Sequence, residues 1–358
     1  MIRFVLSISK TFIAGLHNSC NSAVKVFFAA GHTDKGRKKM VYVFLVLGFV
    51  LLIKGADFFV DGSSSAAKLL KIPTIIIGLT VVAFGTSMPE ASVSVTAALK
   101  GQNGLAVSNV LGSNIFNLLI VLGFSSVIRP LKASPTVLKK EFPFSILITA
   151  VLALLCTGLS FGGLFDGTGS FHLNRIDGLA LLVLFLVFLV SQVRGALKAR
   201  TDESGEDYET MSPLKSVLLV LVGLAGIILG GDLVVDSACE IALQYGLSQS
   251  FIGLTIVAMG TSLPELVTSM VAAQKGENDL ALGNVVGSNI FNILLILGMS
   301  AAISPITVDG EAIFDMLLLI VMSGIAYVFT RSKGVLSKKE GFVFLLMYAI
   351  YFVYIYLR

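Results

Sequence analysis

The sequence predicts an all-α polytopic membrane protein with ten transmembrane helices, arranged as two inverted repeats of five helices each. Three observations lead to this prediction: an apolar composition, a series of long uncharged stretches, and an internal repeat. Of the 358 residues, 55% are hydrophobic and 13% are charged, whereas globular proteins carry about 25% charged residues. Much of a globular surface must be polar, so the composition excludes a water-soluble fold. The 26 basic and 22 acidic residues nearly balance, which disfavours nucleic-acid binding.

Ten uncharged stretches follow one another from residue 40 onward. They run over 40–53, 72–89, 101–128, 142–165, 178–193, 216–231, 241–264, 280–308, 316–330 and 341–357. A spanning helix needs about 20 mostly apolar residues, so the shorter stretches must extend past a flanking charge. Strands of a membrane β-barrel would instead alternate in polarity over short segments. The stretches therefore predict ten helices.

The basic residues concentrate in alternate loops and so predict the orientation in the membrane. One set of loops contains Lys68, Lys71, Arg129, Lys132, Lys139, Lys140, Arg194, Lys198, Arg200, Lys215, Lys275, Arg331, Lys333, Lys338 and Lys339, and the other contains Lys100, Arg175 and Arg358. Cytoplasmic loops carry the excess of Lys and Arg. Both ends of the ten-helix body are therefore expected outside, with the central loop in the cytoplasm. We expect a multi-pass protein of the prokaryotic inner (plasma) membrane.

These features divide the chain into four parts. Residues 1–39 form an extension, 40–194 the first five-helix repeat, 195–213 a cytoplasmic linker and 214–358 the second five-helix repeat. Three interpretations of the extension stay open: an upstream start codon with Met40 as the natural beginning, an interfacial amphipathic segment, or a cleaved targeting sequence. A signal peptide would have a cleaner apolar core and a small-residue cleavage site.

The internal repeat has a constant offset of 175 residues. Residues 78–123 align without a gap on 253–298, and 29 of the 46 positions are identical. Each half holds an odd number of predicted spans, so the second copy enters the membrane from the opposite side. Inverted repeats are typical of secondary transporters with a site near the membrane midplane. A duplication that only enlarged a helix bundle would match best at apolar positions, whereas here the polar positions match best.

The first repeated motif, G-T-S-[ML]-P-E, places a carboxylate within each predicted membrane segment. These are Glu90 and Glu265, and the neighbouring spans offer no Lys or Arg to neutralise them. A carboxylate inside the bilayer costs about 2.5 to 3.5 kcal/mol on insertion scales, and it is tolerated when it faces a partner or a wet cavity. Two such residues at equivalent depths predict one shared site.

The same motif supplies neutral oxygen atoms next to the carboxylates. Pro89 and Pro264 cannot donate a backbone hydrogen bond, so carbonyls near 83–85 and 258–260 become available as ligands. The motif hydroxyls are those of Thr86, Ser87, Thr261 and Ser262. For each hydroxyl, a hydrogen bond between helices is an equally good interpretation.

The second repeated motif, N-V-x-G-S-N-I-F-N, adds hydroxyl and amide groups. Ser113 and Asn117 are four residues apart and share one face of a helix, as do Ser288 and Asn292. Asn114 and Asn289 lie on another face, where they line a different part of the cavity or bond a neighbouring helix. Gly112 and Gly287 are expected to allow close helix packing.

All these donors are hard oxygen atoms, which suit Ca²⁺ and, by the same logic, Na⁺ rather than Zn²⁺ or Cu⁺. Two carboxylates balance one divalent ion or two monovalent ions. The three cysteines are far apart, which argues against disulfides and a thiolate metal site. The three histidines lie outside the repeated motifs, which disfavours a membrane-embedded hydrolase. We expect no enzymatic activity and no cofactor.

At these motifs the chain resembles the calcium/cation antiporter superfamily, specifically the bacterial and archaeal sodium/calcium exchangers, over essentially all of 40–358. The resemblance implies Na⁺/Ca²⁺ exchange by alternating access, with ions held by the second, third, seventh and eighth helices while the first and sixth slide. It implies Ca²⁺ ligation by Glu90, Glu265 and the carbonyls of Thr86 and Thr261. It implies sodium sites at Ala83, Ser87, Ser113, Ala258, Ser262 and Ser288, with Asn117 beside the centre. The expected partners are Ca²⁺, Na⁺ and the lipid bilayer, and the working assumption is a monomer.

One position departs from the family pattern. An archaeal member of the family has aspartate where this chain has Asn292, so a possible charge and a proton-titratable group are missing. Coupling to H⁺ or K⁺ instead of Na⁺ stays open for this reason. A cation channel is a further alternative, because rings of oxygen ligands also form filters, but inverted halves with broken helices favour a transporter.

Four further aspartates repeat between the halves. Asp57 and Asp61 correspond to Asp232 and Asp236 and lie toward the ends of the first and sixth spans. We expect end caps or gating contacts from them rather than central ligands.

Overall fold

The computed structural model describes residues 34–101, 103–158, 171–202, 211–245 and 258–357. Most of the N-terminal extension, part of the predicted linker and the first part of the predicted seventh span lie outside these ranges. The helices of the first half are α1 (Asp34–Leu70), α2 (Thr74–Thr86), α3 (Met88–Leu99), α4 (Asn103–Phe116, continued by Asn117–Val121 and Leu122–Ile128), α5 (Val137–Thr157) and α6 (Arg175–Asp202). Those of the second half are α7 (Pro213–Gln244), α8 (Ala258–Gly260), α9 (Leu263–Lys275), α10 (Asn278–Ile303), α11 (Gly310–Lys333) and α12 (Lys338–Leu357).

The helix boundaries follow from local residue chemistry. Pro213 occupies the first turn of α7, where its missing N–H costs nothing, and Ser212 accepts a hydrogen bond from the Lys215 N–H at 3.4 Å. The helix α9 ends at Gly276, whose φ of 84° favours glycine. The helices α2 and α3 bend by 52° at Ser87, just before Pro89. This bend places the G-T-S-M-P-E motif at a break between two helices.

Within the described residues, seven helices are long and apolar enough to cross a membrane, and the bent pair α2 and α3 adds an eighth. The prediction of a helical membrane protein is confirmed by these spans. The full set of ten spans and the inverted arrangement stay predictions.

Two short antiparallel ladders join the halves. The strand β1 (Leu131–Lys132) pairs with β4 (Val335–Leu336), and β2 (Phe171–Leu173) pairs with β3 (Ile306–Val308). The all-α prediction did not include these ladders, because strands of two or three residues leave no periodic pattern in the sequence. Each ladder ties a loop of the first half to a loop of the second.

The helices differ in how deeply they lie in the protein. In the most apolar 18-residue window, 94% of the residues of α10 and 72% of those of α4 are buried, against 33% for α1 and 28% for α7. The second motif lies on α4 and α10, so its polar groups are enclosed by protein. The helices α1 and α7 thus have few buried residues, and several large apolar side chains on them are exposed, among them Val46 and Leu221, which suits contact with lipid.

Glycines allow α1 and α7 to pack closely along each other. A Cβ atom on Gly223 would lie 2.5 Å from the backbone nitrogen of Phe59, and one on Gly55 would lie 2.6 Å from that of Ile227. Such distances are too short for real Cβ contacts, so only glycine fits. Close backbone approach through small residues is a common way to join helices in membranes.

Candidate ion-binding site

The two motif glutamates lie at helix breaks and are fully buried. Glu90 is in the first turn of α3 and Glu265 is in the first turn of α9. Pro89 and Pro264 occupy the first turns of the same helices, where proline is tolerated. The N-terminal end of a helix also favours negative charge. Each break therefore places a carboxylate in the interior beside a positive helix end.

Serine hydroxyls from both halves converge on each glutamate. Glu90 Oε1 accepts from Ser262 Oγ at 2.9 Å and from Ser113 Oγ at 3.1 Å. Glu265 Oε1 accepts from Ser87 Oγ at 3.0 Å and from Ser288 Oγ at 3.4 Å. Ser113 and Ser262 also approach each other, with 2.8 Å between their oxygens. Each carboxylate thus takes one hydroxyl from its own repeat and one from the other repeat.

Four buried acceptor oxygens of this cluster have no hydrogen-bond partner among the residues that the structure describes. They are Glu90 Oε2, Glu265 Oε2, Asn117 Oδ1 and Asn292 Oδ1. Neither glutamate forms an ion pair with any described Lys or Arg. Buried polar groups in proteins are nearly always satisfied, and an uncompensated buried oxygen is costly. Two carboxylate and two amide oxygens without donors are the arrangement that a hard cation would satisfy.

The hydroxyl and carbonyl groups of the first motif are only partly free for an ion. Thr86 Oγ1 donates to Asn284 Oδ1 at 2.9 Å and lies 3.1 Å from the carbonyl oxygen of Val82. The Ala83 carbonyl accepts the Ser87 N–H at 3.0 Å, so the expectation that the proline frees this carbonyl is wrong. Pro89 removes the donor four residues after Gly85, and Gly85 lies two residues beyond Ala83.

In the second half, the corresponding groups lie on α8 and in the turn that follows it. Ala258 begins α8, and Thr261 and Ser262 form the turn between α8 and α9. The Met259 carbonyl accepts the Ser262 N–H at 3.3 Å. The structure therefore brings Ser262 to the cluster and places Ala258 and Thr261 in the adjoining backbone.

Two asparagines to which the sequence assigned no role hold the glutamate backbones. Asn109 Nδ2 donates to Ser94 Oγ at 3.0 Å and lies 3.4 Å from the carbonyl oxygen of Glu90. In the other repeat, Asn284 Nδ2 donates to Ser269 Oγ at 2.9 Å and lies 3.4 Å from the carbonyl oxygen of Glu265. The sequence feature that could have pointed to these two asparagines is that they are identical at the 175-residue offset.

Asn117 and Asn292 each begin a π-helical turn, Asn117–Val121 in α4 and Asn292–Leu297 in α10. Such turns are rare and frequently occur at functional sites. Their presence at equivalent positions of both halves marks the same part of the interior as the glutamates do.

The repeated aspartates lie outside the central cluster. Lys275 Nζ, at the end of α9, donates to Asp61 Oδ1 at 2.8 Å and to the Asp57 carbonyl oxygen at 2.9 Å, and it lies 3.4 Å from Asp57 Oδ1. Asp232 and Asp236 on α7 form no ion pair with any described residue. Asp57 and Asp61 therefore connect α1 to the end of α9 through Lys275.

The sequence profile of a family described as sodium/calcium exchanger protein matches residues 40–194 and 215–357. The putative antiporter CaxA of Alkalimonas amylolytica is 42% identical over 75% of this chain and 83% of its own. The sodium/calcium exchanger MaX1 of Methanosarcina acetivorans is 31% identical over 88% of this chain and 98% of its own. A solved structure of the sodium-calcium exchanger NCX_Mj, soaked with Na⁺ and Sr²⁺, has a TM-score of 0.75 and 32% identity over 88% of this chain and 99% of its own.

Proposed function

Because the chain belongs to the sodium/calcium exchanger family, an integral membrane family of transporters rather than enzymes, we propose that it exchanges Na⁺ for Ca²⁺ across the membrane by alternating access. The observation that carries the proposal is the set of four buried oxygens without donors, two of which belong to carboxylates. A cation of matching charge would satisfy all four. One Ca²⁺ or two Na⁺ would balance Glu90 and Glu265, so the two ions compete for the same negative charge.

The proposed ligands separate by chemistry. For Ca²⁺ they are the carboxylates of Glu90 and Glu265 with the carbonyls of Thr86 and Thr261. For Na⁺ they are neutral oxygens of Ala83, Ser87, Ser113, Ala258, Ser262 and Ser288. Asn117 and Asn292 offer amide oxygens beside the carboxylates. Hydroxyls that donate to a glutamate in the structure would turn their lone pairs to Na⁺ when it binds, since a hydroxyl both donates and accepts.

Alternating access requires that the two halves exchange roles. The reciprocal bonds support this, because Ser87 to Glu265 and Ser262 to Glu90 are the same bond with the halves exchanged. We propose ten membrane spans in two inverted repeats, 40–194 and 214–358, joined by a cytoplasmic linker at 195–213. The distribution of Lys and Arg supports a cytoplasmic position for that linker, and the location we propose is the prokaryotic inner membrane.

The moving part is proposed to be the pair α1 and α7. In their most apolar windows only 33% and 28% of the residues are buried, and glycines such as Gly55 and Gly223 join the two helices into one unit. A unit of two helices that slides over the α4 and α10 core would open the site first to one side and then to the other.

The test is Ca²⁺ transport by purified protein in sealed vesicles. Vesicles loaded with Na⁺, K⁺ or choline, or bearing a pH gradient, receive ⁴⁵Ca²⁺ outside. We expect uptake only with an outward Na⁺ gradient and loss of uptake when that gradient is collapsed. Uptake that ignores the Na⁺ gradient would contradict the proposal. Uptake driven by K⁺ or H⁺ would favour the alternative coupling, and uptake without any counter-ion would indicate a channel.

A further inference from the structure

Four buried asparagines of the second motif form a group between α4 and α10 that adjoins the glutamates, because Asn292 Nδ2 lies 3.3 Å from Ser113 Oγ, which donates to Glu90. Asn114 and Asn117 come from α4, and Asn289 and Asn292 come from α10. Their exposed fractions are 4% or less. An amide has one end that accepts hydrogen bonds and one that donates them, so its orientation decides what it presents to an ion.

The orientation of Asn114 is determined by a backbone group. Its Nδ2 lies 3.2 Å from the carbonyl oxygen of Asn289, which can only accept, so this end of the amide must be the nitrogen. The other end is therefore Oδ1, and it accepts from Asn292 Nδ2 at 2.9 Å. Because Asn292 uses its nitrogen here, its oxygen is the end that stays without a donor.

The mirror arrangement holds on the other side. Asn289 Nδ2 donates to the carbonyl oxygen of Asn114 at 3.3 Å, and Asn289 Oδ1 accepts from Asn117 Nδ2 at 3.3 Å. The oxygen of Asn117 is in turn without a donor. Each pair of successive hydrogen bonds begins at a backbone carbonyl of the opposite repeat. If the amide of Asn114 or Asn289 turned over, its oxygen would face that carbonyl oxygen, and two acceptors would oppose each other.

We propose that Asn114 and Asn289 are positioning residues that fix Asn292 and Asn117 as oxygen donors for the transported cation. This inference rests on the proposed function. We call the two bonds, Asn292 Nδ2 to Asn114 Oδ1 and Asn117 Nδ2 to Asn289 Oδ1, the clasp. Asn292 Nδ2 also lies 3.3 Å from Ser113 Oγ, but a hydroxyl both donates and accepts and so does not fix the direction of the amide. Without the clasp, an amide at 117 or 292 can rotate by 180° and present its NH₂ group, whose positive end repels a cation. Selectivity for cations at these two positions thus depends on residues that need not touch the ion.

The first test removes the clasp while keeping its shape. Leucine has nearly the outline of asparagine but neither donates nor accepts, so N114L removes the constraint on Asn292. We expect the half-saturating Ca²⁺ concentration, measured by equilibrium ⁴⁵Ca²⁺ binding to purified protein, to rise about tenfold, as for the loss of a hydrogen bond to one ligand. A merely structural role would lower the yield of folded protein and leave this concentration unchanged.

The second test asks through which amide Asn114 acts. N114L combined with N292A should bind Ca²⁺ no more weakly than N292A alone, because the amide that Asn114 orients is already gone. N114L combined with N117A should show the product of the two single effects, although residues 114 and 117 are neighbours on one helix. Additive effects in the first pair, or non-additive effects in the second, would overturn the proposal.

Two further variants keep the test decisive. S125A and S300A remove buried hydroxyls on the same two helices that make no hydrogen bond to any described residue, and both should bind Ca²⁺ like the wild type. If N114L does not fold, N289L tests the same idea in the other repeat. Its effect on Ca²⁺ binding should be absent when it is combined with N117A and should multiply with that of N292A. N114S, a smaller change at position 114, can replace N114L in the first binding measurement.

If wild-type protein binds Ca²⁺ but does not exchange it for Na⁺, the proposed function fails while the clasp stands. If exchange is normal and N114L binds Ca²⁺ like the wild type, only the clasp fails.

Discussion

Glu90 and Glu265 have matching surroundings in the two repeats, whereas Asp57 and Asp61 differ from their counterparts Asp232 and Asp236. Each glutamate accepts two serine hydroxyls, one from each repeat. By contrast, Asp57 and Asp61 hold Lys275, while Asp232 and Asp236 form no ion pair with a described residue. The hydrogen bonds from serine to the two carboxylates are equivalent, whereas the contacts of the aspartates on α1 and α7 are not.

The difference has a physical meaning under alternating access. A site that serves both sides of the membrane must offer an ion the same ligands in both states, so its two halves stay equivalent. If α1 and α7 move as proposed, their aspartates would contact the rest of the protein on one side at a time, so any single state would show them unequal. Ser64 Oγ, which donates to Glu277 Oε1 at 2.6 Å, strengthens the same contact between α1 and the turn after α9.

The largest expected effect concerns the symmetric centre. E90Q and E265Q should each abolish Na⁺-driven Ca²⁺ uptake, at least a hundredfold, because a neutral amide removes half of the charge that balances Ca²⁺. E141Q is the matched control. Glu141 is a buried carboxylate that accepts from Gln192 Nε2 at 3.2 Å, outside the cluster, and its variant should transport normally. Undiminished uptake by either site variant would remove the site assignment.

A second prediction concerns the seam between α1 and α7. In G223A the new methyl group would meet the Phe59 backbone at 2.5 Å, so we expect the folded state to lose about 2 kcal/mol, the usual cost of overpacking. The thermal unfolding midpoint in detergent measures this. In α11, G324A meets nothing within 4 Å and should unfold like the wild type. Equal midpoints for the two variants would show that the seam is not tight.

A third prediction sharpens the symmetry of the centre. S87A and S262A should raise the half-saturating Na⁺ concentration by similar factors, about tenfold each, since each removes a proposed Na⁺ ligand and one hydrogen bond to a buried carboxylate. S92A is the control, because its hydroxyl bonds only the Met88 carbonyl at 2.9 Å. A large effect in one repeat and none in the other would mean that the two halves are not equivalent.

The smallest expected effect concerns the asymmetric periphery. K275M should change maximal transport about threefold and leave Ca²⁺ binding unchanged, because partly exposed ion pairs contribute at most about 1 kcal/mol. The effect should fade as ionic strength rises. K54M is the matched control, since Lys54 pairs only within α1, with Asp57 at 3.3 Å. A changed Ca²⁺ affinity in K275M would place this lysine in the site instead of at its edge.

The sequence by itself determined the membrane class, the two motifs and the groups that gather around the ion. Hydrophobic length and identity at a constant offset are properties that can be counted along a chain. The same identity marked Asn109 and Asn284 as repeated, although nothing in their spacing showed that they clamp the glutamate backbones. The two cross-half ladders were likewise invisible, because their strands are too short to show a period.

Only the tertiary structure decided which groups meet. Ser262 donates to Glu90, 172 positions away, and not to the glutamate three residues after it. Asn114 takes its orientation from the Asn289 carbonyl, 175 positions away. Such pairings depend on how the helices cross, and the direction of an amide depends on the group opposite it. Neither quantity is encoded in local spacing, which is why the ligand types were predictable and the hydrogen bonds that aim them were not.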